Sequence, residues 1–271
     1  MKNGIHFISG LPRSGSTLLA AILQQNPRFY ARMSGPVGGI YMAMLGALSN
    51  ANEFALFMDS KQKEAHLRSV FSVHYEDIGK DKVIFDTNRL WCSKMPAIAR
   101  LFPDSTVFCC VRNLAWIMDS VERLVRKNAF DLSRLFNFER SNTVYSRVEG
   151  LAGGNGLVGF AYNALKEAFF GEQTSQLVII RYETLAADPE GTVKKIYDRV
   201  GEKWFKHDFD HVEYSEPIYD AWLGTPGLHT VKPKVKPEER KTVLPPDLFN
   251  RFSRQSFWSD PKANVRNVTI W

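Results

Sequence analysis

One short segment near the start of the chain combines residue types that bind anions. It holds two glycines, an arginine and three hydroxyl side chains: Gly10, Arg13, Ser14, Gly15, Ser16 and Thr17. The apolar run "IHFIS" at 5–9 precedes it, and a helical pattern begins at Ser16. A glycine-containing turn between a strand and a helix directs backbone N–H groups and the positive end of the helix dipole at one point. The segment therefore predicts an anion-binding loop with Arg13 at its rim.

The loop differs from the phosphate loop of nucleoside triphosphatases at one position. The pattern G-x-x-x-x-G-K-[ST] is met at Gly10, Gly15 and Thr17, but Ser16 stands where the lysine belongs. Because that lysine reaches the β- and γ-phosphates, a triphosphate would be poorly neutralised here. The run "VIFD" ends at Asp86, which would suit a magnesium ligand, so a kinase or NTPase stays one alternative. A nucleotide-binding module without catalysis is another.

Arg112 and Ser120, in "VRNLAWIMDSVERL" (111–124), could extend this chemistry. Arg112 ends an apolar run, and Ser120 lies two helical turns further along. If the helix lies close across the end of the sheet, the two side chains can hold a second, separate phosphate. Spacing alone favours an ordinary arginine and a helix-surface serine, whereas the nearby loop shifts the balance toward a second anion site.

The elements that would position these residues alternate along the chain. Apolar runs predict buried strands at 5–9, 82–86, 106–111 and 176–180. Helical patterns lie at 16–25, 61–76, 95–102, 114–126 and 157–170. This alternation predicts an α/β fold with a doubly wound parallel sheet flanked by helices. Ligands of such sheets bind beyond the carboxyl ends of the strands, where the loop, Asp86, Arg89, Arg112 and Tyr182 are found.

The pattern loosens after Gly201. The segment from about 203 to 271 is rich in Pro, Gly and Lys and predicts an extended, partly irregular arm that packs on a single domain spanning 1–271. The glycine-rich segment "EGLAGGNGLVG" (149–159) is either a flexible link or a substrate contact.

Composition sets further bounds. The net charge of +6 suits an anionic ligand, but basic and aromatic residues form no concentrated stripe, so nucleic acid is not expected as a partner. The three cysteines show no disulfide or zinc spacing. The apolar runs are too short to span a membrane, which, with the absence of a signal-peptide pattern, predicts a cytoplasmic protein. A homodimer is compatible with the sequence.

Two motifs together resemble a known family. "GLPRSGSTLL" (10–19) followed by "CVRNLAWIMDS" (110–120) is similar to the paired signature of sulfotransferases that use 3′-phosphoadenosine 5′-phosphosulfate (PAPS). The form P-R-S-G-[ST]-T is closest to the tyrosylprotein sulfotransferases and their bacterial relatives, and "LVIIRYETLAADPEGTVKKIYDRVGE" (177–202) extends the resemblance. It implies a P-loop-NTPase-like fold, PAPS as co-substrate, 3′,5′-adenosine bisphosphate (PAP) as product, and no metal.

The resemblance assigns donor-binding roles residue by residue. The 5′-phosphosulfate element is matched by Arg13, Ser14, Gly15, Ser16, Thr17 and Leu18. Arg112 and Ser120 match the pair that binds the 3′-phosphate, and Tyr182 matches a tyrosine near the adenine. Leu124 stands where the family often adds a basic residue, so Arg123 or a lysine of the arm is expected to substitute. His229, Lys232 and Lys234 in "GLHTVKPKVK" (227–236) either close over the nucleotide or form an exposed basic loop.

The catalytic residues are matched less completely. Sulfuryl transfer depends on preorganised cations, and Arg13 is one candidate. Where the family has a lysine after the second predicted strand, Arg89 is the match and Lys94 a second candidate, although an arginine cannot donate a proton.

The residue that would deprotonate the acceptor is harder to assign. Ser34 stands where the tyrosylprotein branch has its glutamate base, and Asn88 stands where the cytosolic branch has its histidine. Asp86 is then the remaining candidate base, unless it orients Arg13 or Arg89 instead.

The acceptor implied by the resemblance carries a hydroxyl group. A peptide tyrosine, a small alcohol, a phenol and a carbohydrate all stay open. By elimination, the segment 31–60 and the loop 143–160 are expected to line the acceptor site.

Overall fold

Six parallel strands form the centre of the protein in a computed structural model, which describes residues 4–49, 52–78, 81–136, 142–237 and 239–271. The strands lie in the order β2-β3-β1-β4-β5-β6. Their bounds are β1 Ile5–Gly10, β2 Phe29–Ala31, β3 Val83–Thr87, β4 Val107–Val111, β5 Leu177–Arg181 and β6 Thr269–Ile270. Because all ladders are parallel, the loops that follow β1, β3, β4 and β5 meet at one edge of the sheet.

Helices cover both faces of the sheet. In chain order they are α1 Ser16–Gln24, α2 Val37–Ala47, α3 Ser60–His74, α4 Met95–Leu101, α5 Leu114–Lys127, α6 Val144–Ala152, α7 Leu157–Phe170, α8 Tyr182–Ala187, α9 Pro189–Val200, α10 Pro217–Trp222 and α11 Pro246–Ser253. Successive strand residues such as Phe7 and Ile8 enter different cores, because strand side chains alternate between faces. One core packs α1, α8 and α9; the other packs α2 to α7 and α11.

The predicted fold class is confirmed, and the four predicted strands agree with the structure to within about two residues. Two further strands were not predicted, because β2 has three residues and β6 two, too few to show an apolar run. The strand β6 joins the end of the arm to β5, and Trp271 donates its N–H to Ile179 O at 2.9 Å. Within the described ranges, none of the helices has the length and apolar character needed to cross a membrane.

Candidate functional site

The loop after β1 is held tightly against β4. Gly10 has φ 106°, and a Cβ there would lie 2.2 Å from Cys110 O, so a side chain cannot be accommodated. Leu11 donates its N–H to the same carbonyl at 2.9 Å. The Ser14 hydroxyl is fully buried and bonds to Leu11 O and, at 2.8 Å, to Cys110 O. The expectation that this hydroxyl faces an anion is therefore corrected: it donates to backbone carbonyls and holds the loop against β4.

The first turn of α1 opens at the end of this loop. Gly15 caps the helix with φ 97°, and as a glycine it has no side chain to accept a hydrogen bond from the first turn. The free N–H groups of the first turn, together with the helix dipole, favour an anion. Ser16, Thr17 and Leu18 all line the neighbouring cavity, so the structure provides the loop-and-helix arrangement that the sequence predicts.

A cavity of about 860 Å³ lies beyond the carboxyl ends of the strands. Most of the predicted site residues line it: Arg13, Gly15, Ser16, Thr17, Leu18, Arg89, Arg112, Ser120, Tyr182, His229, Lys232 and Lys234. Asp86 and Lys94 are not among its lining residues. In the described part of the chain the lining includes eight cationic side chains and no aspartate or glutamate; the other cations are Arg134, Lys236 and Arg240. Such a cavity suits a polyanion.

Arg13, Arg112, Ser120 and Tyr182 come together on one side of the cavity. Arg13 donates from Nε to Ser120 Oγ at 3.1 Å, which joins the loop to α5. The Arg112 guanidinium lies over the Tyr182 ring, 4.1 Å from its centroid, and its buried Nε has no hydrogen-bond partner among the described residues. Burial, reinforced by the charge of Arg112, lowers the pKa of Arg13 to about 10. Cations held this close would gain from a bound anion.

A cation that the sequence did not single out completes this region. Arg240 lies in the arm and lines the cavity. Its Nη2 is 2.9 Å from Asp119 Oδ2, which makes an ion pair, but the angle between the groups is unsuitable for a hydrogen bond. Its buried Nε has no hydrogen-bond partner in the described ranges. The predicted substitute Arg123 instead bonds to Asp119 at 2.9 Å and does not line the cavity. Arg240 was missed because the arm has no motif that fixes its position in space.

The predicted arm residues have different surroundings. His229 is bound to the buried carboxylate of Asp220, 2.5 Å from Nδ1. Lys234 forms an exposed ion pair with Asp210, 2.7 Å between Nζ and Oδ1. Lys232 lines the cavity together with Thr230 and Val231.

Asp86 is buried away from the cavity. Its carboxylate accepts hydrogen bonds from the Tyr75 hydroxyl and, at 2.7 Å, from Trp91 Nε1. Burial raises the pKa of Asp86 above its ordinary value. Among the described residues, no hydrogen bond or ion pair joins Asp86 to Arg13 or Arg89, and Asp86 does not line the cavity. The structure thus corrects both sequence interpretations: the carboxylate holds two core aromatic side chains in place.

The two candidate catalytic cations, Arg89 and Lys94, lie in different surroundings. Asn88 caps a 3₁₀ helix, Arg89–Lys94, by accepting the N–H of Leu90 at 3.0 Å. This turn leaves Arg89 on the cavity wall and Lys94 outside it. Burial lowers the pKa of Arg89, and its guanidinium has no hydrogen bond or ion pair within the described part of the chain.

The remaining wall contains parts of both segments expected to contact an acceptor. Met33 and Ser34 come from 31–60, of which residues 50 and 51 lie outside the described residues. Gly150, Gly153 and 154–157 come from the glycine-rich segment. The expected loop 143–160 is largely helical: α6 ends at Ala152 and α7 begins at Leu157, so only a short turn separates them. No group of His, Cys, Asp and Glu able to hold a metal occurs among the residues described.

Comparisons with known proteins bear on the family and on the fold. A family model described as "Sulfotransferase family" matches residues 6–206. A solved sulfotransferase domain from the curacin biosynthetic pathway is 13% identical, with a TM-score of 0.56 over 94% of this chain and 97% of that one. Sulfotransferase structures from the Synechococcus PCC 7002 olefin synthase (16% identity, TM-score 0.49, 94% and 89% covered) and from Alicyclobacillus acidocaldarius (14%, 0.49, 82% and 90%) are also similar. No curated protein matches.

Proposed function

The chain belongs to the sulfotransferase family, and on that premise we propose that it transfers a sulfuryl group from PAPS to a hydroxyl acceptor. The observation that carries the choice of donor is the presence of two cationic subsites in one cavity that is lined by no described carboxylate. The first is the loop with the N-terminus of α1. The second comprises Arg112, which lies over the Tyr182 ring, with Ser120 and Arg240. PAPS carries anionic groups at two separate positions, and ATP does not.

The proposed binding mode follows the two subsites. The 5′-phosphosulfate takes the N–H groups of the α1 first turn, with the hydroxyls of Ser16 and Thr17. The 3′-phosphate takes Arg112, Ser120 and Arg240, and the adenine lies near Tyr182. Lys232 and Lys234 add charge from the arm.

Sulfuryl transfer, like phosphoryl transfer, depends mainly on how the protein positions the two reactants and stabilises charge. The acceptor oxygen attacks sulfur in line with the departing phosphate oxygen, and negative charge grows on that oxygen. Arg89 and Arg13 line the cavity and would stabilise this charge without reorganisation. A tyrosine of a peptide, a small alcohol, a phenol or a carbohydrate can each supply the acceptor hydroxyl.

The donor is tested by isothermal titration with PAP and, separately, with ATP and magnesium. We expect PAP to bind with Kd in the micromolar range or below, and Arg112→Ala to weaken it by at least tenfold, since the variant loses a charge-assisted contact. The matched control is Arg254→Ala, an exposed arginine outside the cavity, which should bind PAP as the wild type does.

The alternatives give different results in the same experiments. ATP binding that depends on magnesium, with no PAP binding, would indicate a kinase or NTPase. Salt-sensitive binding of RNA or DNA in place of PAP would indicate a binding module. Transfer of radiolabelled sulfate from PAPS into protein and small-molecule fractions of a cell extract then narrows the acceptor class.

A further inference from the structure

His229 and Asp220 form a paired unit on the cavity wall. Asp220 lies in α10 and is 1% exposed. Its Oδ1 is 2.5 Å from His229 Nδ1, and its Oδ2 accepts the backbone N–H of His229 at 2.8 Å. One carboxylate thus fixes both the backbone and the ring of the histidine. This leaves the ring little freedom to turn.

The pairing also fixes which ring nitrogen is available. An ionised carboxylate can only accept, so Nδ1 carries the proton and a neutral ring leaves the lone pair on Nε2. Nε2 has no hydrogen-bond partner among the described residues, and His229 lines the cavity. The preceding carbonyl, Leu228 O, accepts a hydrogen bond from Arg13 Nη1 of the anion-binding loop. The backbone that carries His229 is thereby joined to the anion-binding loop.

Burial and two nearby arginines favour the neutral form of the His229 ring. It faces Asp220 and Tyr219 of α10, whose Tyr219 ring centroid is 5.6 Å away, as well as Arg13 and Arg89. Burial lowers the pKa of His229 most, Asp220 raises it, and the two arginines lower it again. The pKa of His229 therefore lies below the ordinary histidine value. The ring is uncharged at neutral pH, and Nε2 can accept a proton.

We propose that His229 is the general base of the transfer and that Asp220 is its positioning residue. The inference rests on the proposed function. His229 Nε2 removes the acceptor hydroxyl proton as the acceptor oxygen bonds to sulfur. The bond from sulfur to the 5′-phosphate oxygen breaks, its electron pair leaves with PAP, and the sulfate ester remains. The imidazolium then returns the proton to solvent.

The resemblance left the general base unassigned, because Ser34 and Asn88 stand where the two branches of the family have their glutamate and histidine bases. His229 would supply the missing base. Asp86, the sequence candidate, is buried among aromatic side chains. The arm instead brings in a base from far along the chain. A base of this kind is needed by an acceptor whose hydroxyl is un-ionised at neutral pH, and is needed less by an acidic phenol.

The test measures PAP released from PAPS with phenol, with 4-nitrophenol and with water alone, so that an acceptor is present in every assay. We expect His229→Gln to lower the rate with phenol by about 10²- to 10⁴-fold, and less with the more acidic 4-nitrophenol. The rise of rate with pH should disappear, while the Kd for PAP stays within about twofold, because a base contributes to chemistry.

Two further variants separate catalysis from folding. Asp220→Asn should lower the rate and alter the pH profile, and Asp220→Glu should restore part of both. His211→Gln is the matched control, because His211 forms an exposed pair with Asp208, 2.9 Å from Nδ1, outside the cavity. It should behave as the wild type does.

Three results would overturn the inference. His229→Gln could keep the wild-type rate and pH profile. It could instead lose rate equally with all acceptors in proportion to lost PAP affinity, which would indicate a structural role. If the wild type binds no PAP, the proposed function fails first, and that outcome is distinct from the other two.

Discussion

Arg89 and Lys94 begin and end one 3₁₀ turn, but only Arg89 lines the cavity. Its guanidinium is held there without a hydrogen bond or ion pair to any described residue, which leaves its donors available for the sulfuryl oxygens. A cation in a buried site stabilises developing charge more than it would in water. We therefore propose for Arg89 the role that the resemblance gives to a lysine.

Arg89→Ala should lower turnover of PAPS by about 10²-fold or more, because one preorganised donor is lost from the transition state. PAP affinity should change little. Arg89→Lys should recover part of the rate, since it keeps the charge but loses the planar fork. Steady-state kinetics and titration with PAP measure both effects. A rate loss in Lys94→Ala as large as that in Arg89→Ala would contradict the assignment.

Residue types and local order predicted the loop between β1 and α1 and placed Arg112 at the end of a strand. For Arg112 and Ser120 as an anion pair, spacing alone favoured the ordinary reading, and the interpretation depended on the nearby loop and the family resemblance. The sequence could not distinguish Ser14 from Ser16, or Arg89 from Lys94. Those differences depend on the direction in which a side chain points after a turn. The pairing of His229 with Asp220 was missed because α10 is short and no local motif links the two residues.

At the scale of elements, α5 holds the arm against the cavity. Asp119 is fully buried in this helix. It accepts the N–H of Val243 at 2.7 Å and the Thr242 hydroxyl at 3.1 Å, and it lies beside Arg240. The position of Arg240, one of the cavity cations of the arm, therefore depends on a carboxylate that does not line the cavity.

The variant Asp119→Asn is expected to change PAP affinity through two effects of opposite sign. Charge alone predicts tighter PAP binding, because a negative group leaves the cationic region. We expect weaker binding, by about tenfold, because the arm and Arg240 lose their anchor. Unfolding free energy should fall by about 2 kcal/mol, since the partly exposed Arg123 and Arg240 lose the charge of their buried partner. Titration with PAP and urea denaturation measure the two effects, and the exposed Asp198→Asn of α9 is the matched control. Tighter PAP binding would contradict the anchoring role.

The length of each strand explains which strands the sequence predicted. The strands β1, β3, β4 and β5 each have five or six residues and show as apolar runs. The strands β2 and β6 exist because β3 and β5 offer them a pairing edge. Pairing between distant segments leaves no local pattern in so few residues. The resemblance to sulfotransferases, which rests on spaced motifs, is confirmed by the family match over 6–206.

At the scale of the whole molecule, two buried histidines link stability to pH. His6 accepts the N–H of Thr106 at Nδ1, 3.1 Å away, and packs between aromatic rings of the sheet. His207 faces the Tyr197 hydroxyl at 2.9 Å and attaches the start of the arm to α9. Burial lowers the pKa of each histidine from 6.5 to about 4, and the charge of Arg199 adds to this effect for His6.

The sign of the pH effect follows from proton binding. Between pH 6.5 and about 4 the unfolded chain binds more protons at these histidines than the folded chain does. Stability is therefore complete above pH 6.5 and is lost as pH falls toward 4. Each histidine should remove about 2 kcal/mol from the unfolding free energy between pH 7 and pH 5.

Replacing both histidines by neutral acceptors should flatten this dependence. In His6→Asn the amide oxygen can take the Thr106 N–H, and in His207→Gln it can take the Tyr197 hydroxyl. We expect the double variant to be less stable than the wild type near pH 7 but to lose less between pH 7 and pH 5. Urea denaturation at both pH values measures the difference, in which contributions shared by the two proteins, such as that of Asp86, cancel. Equal losses in the two proteins would show that the pH dependence originates at other groups.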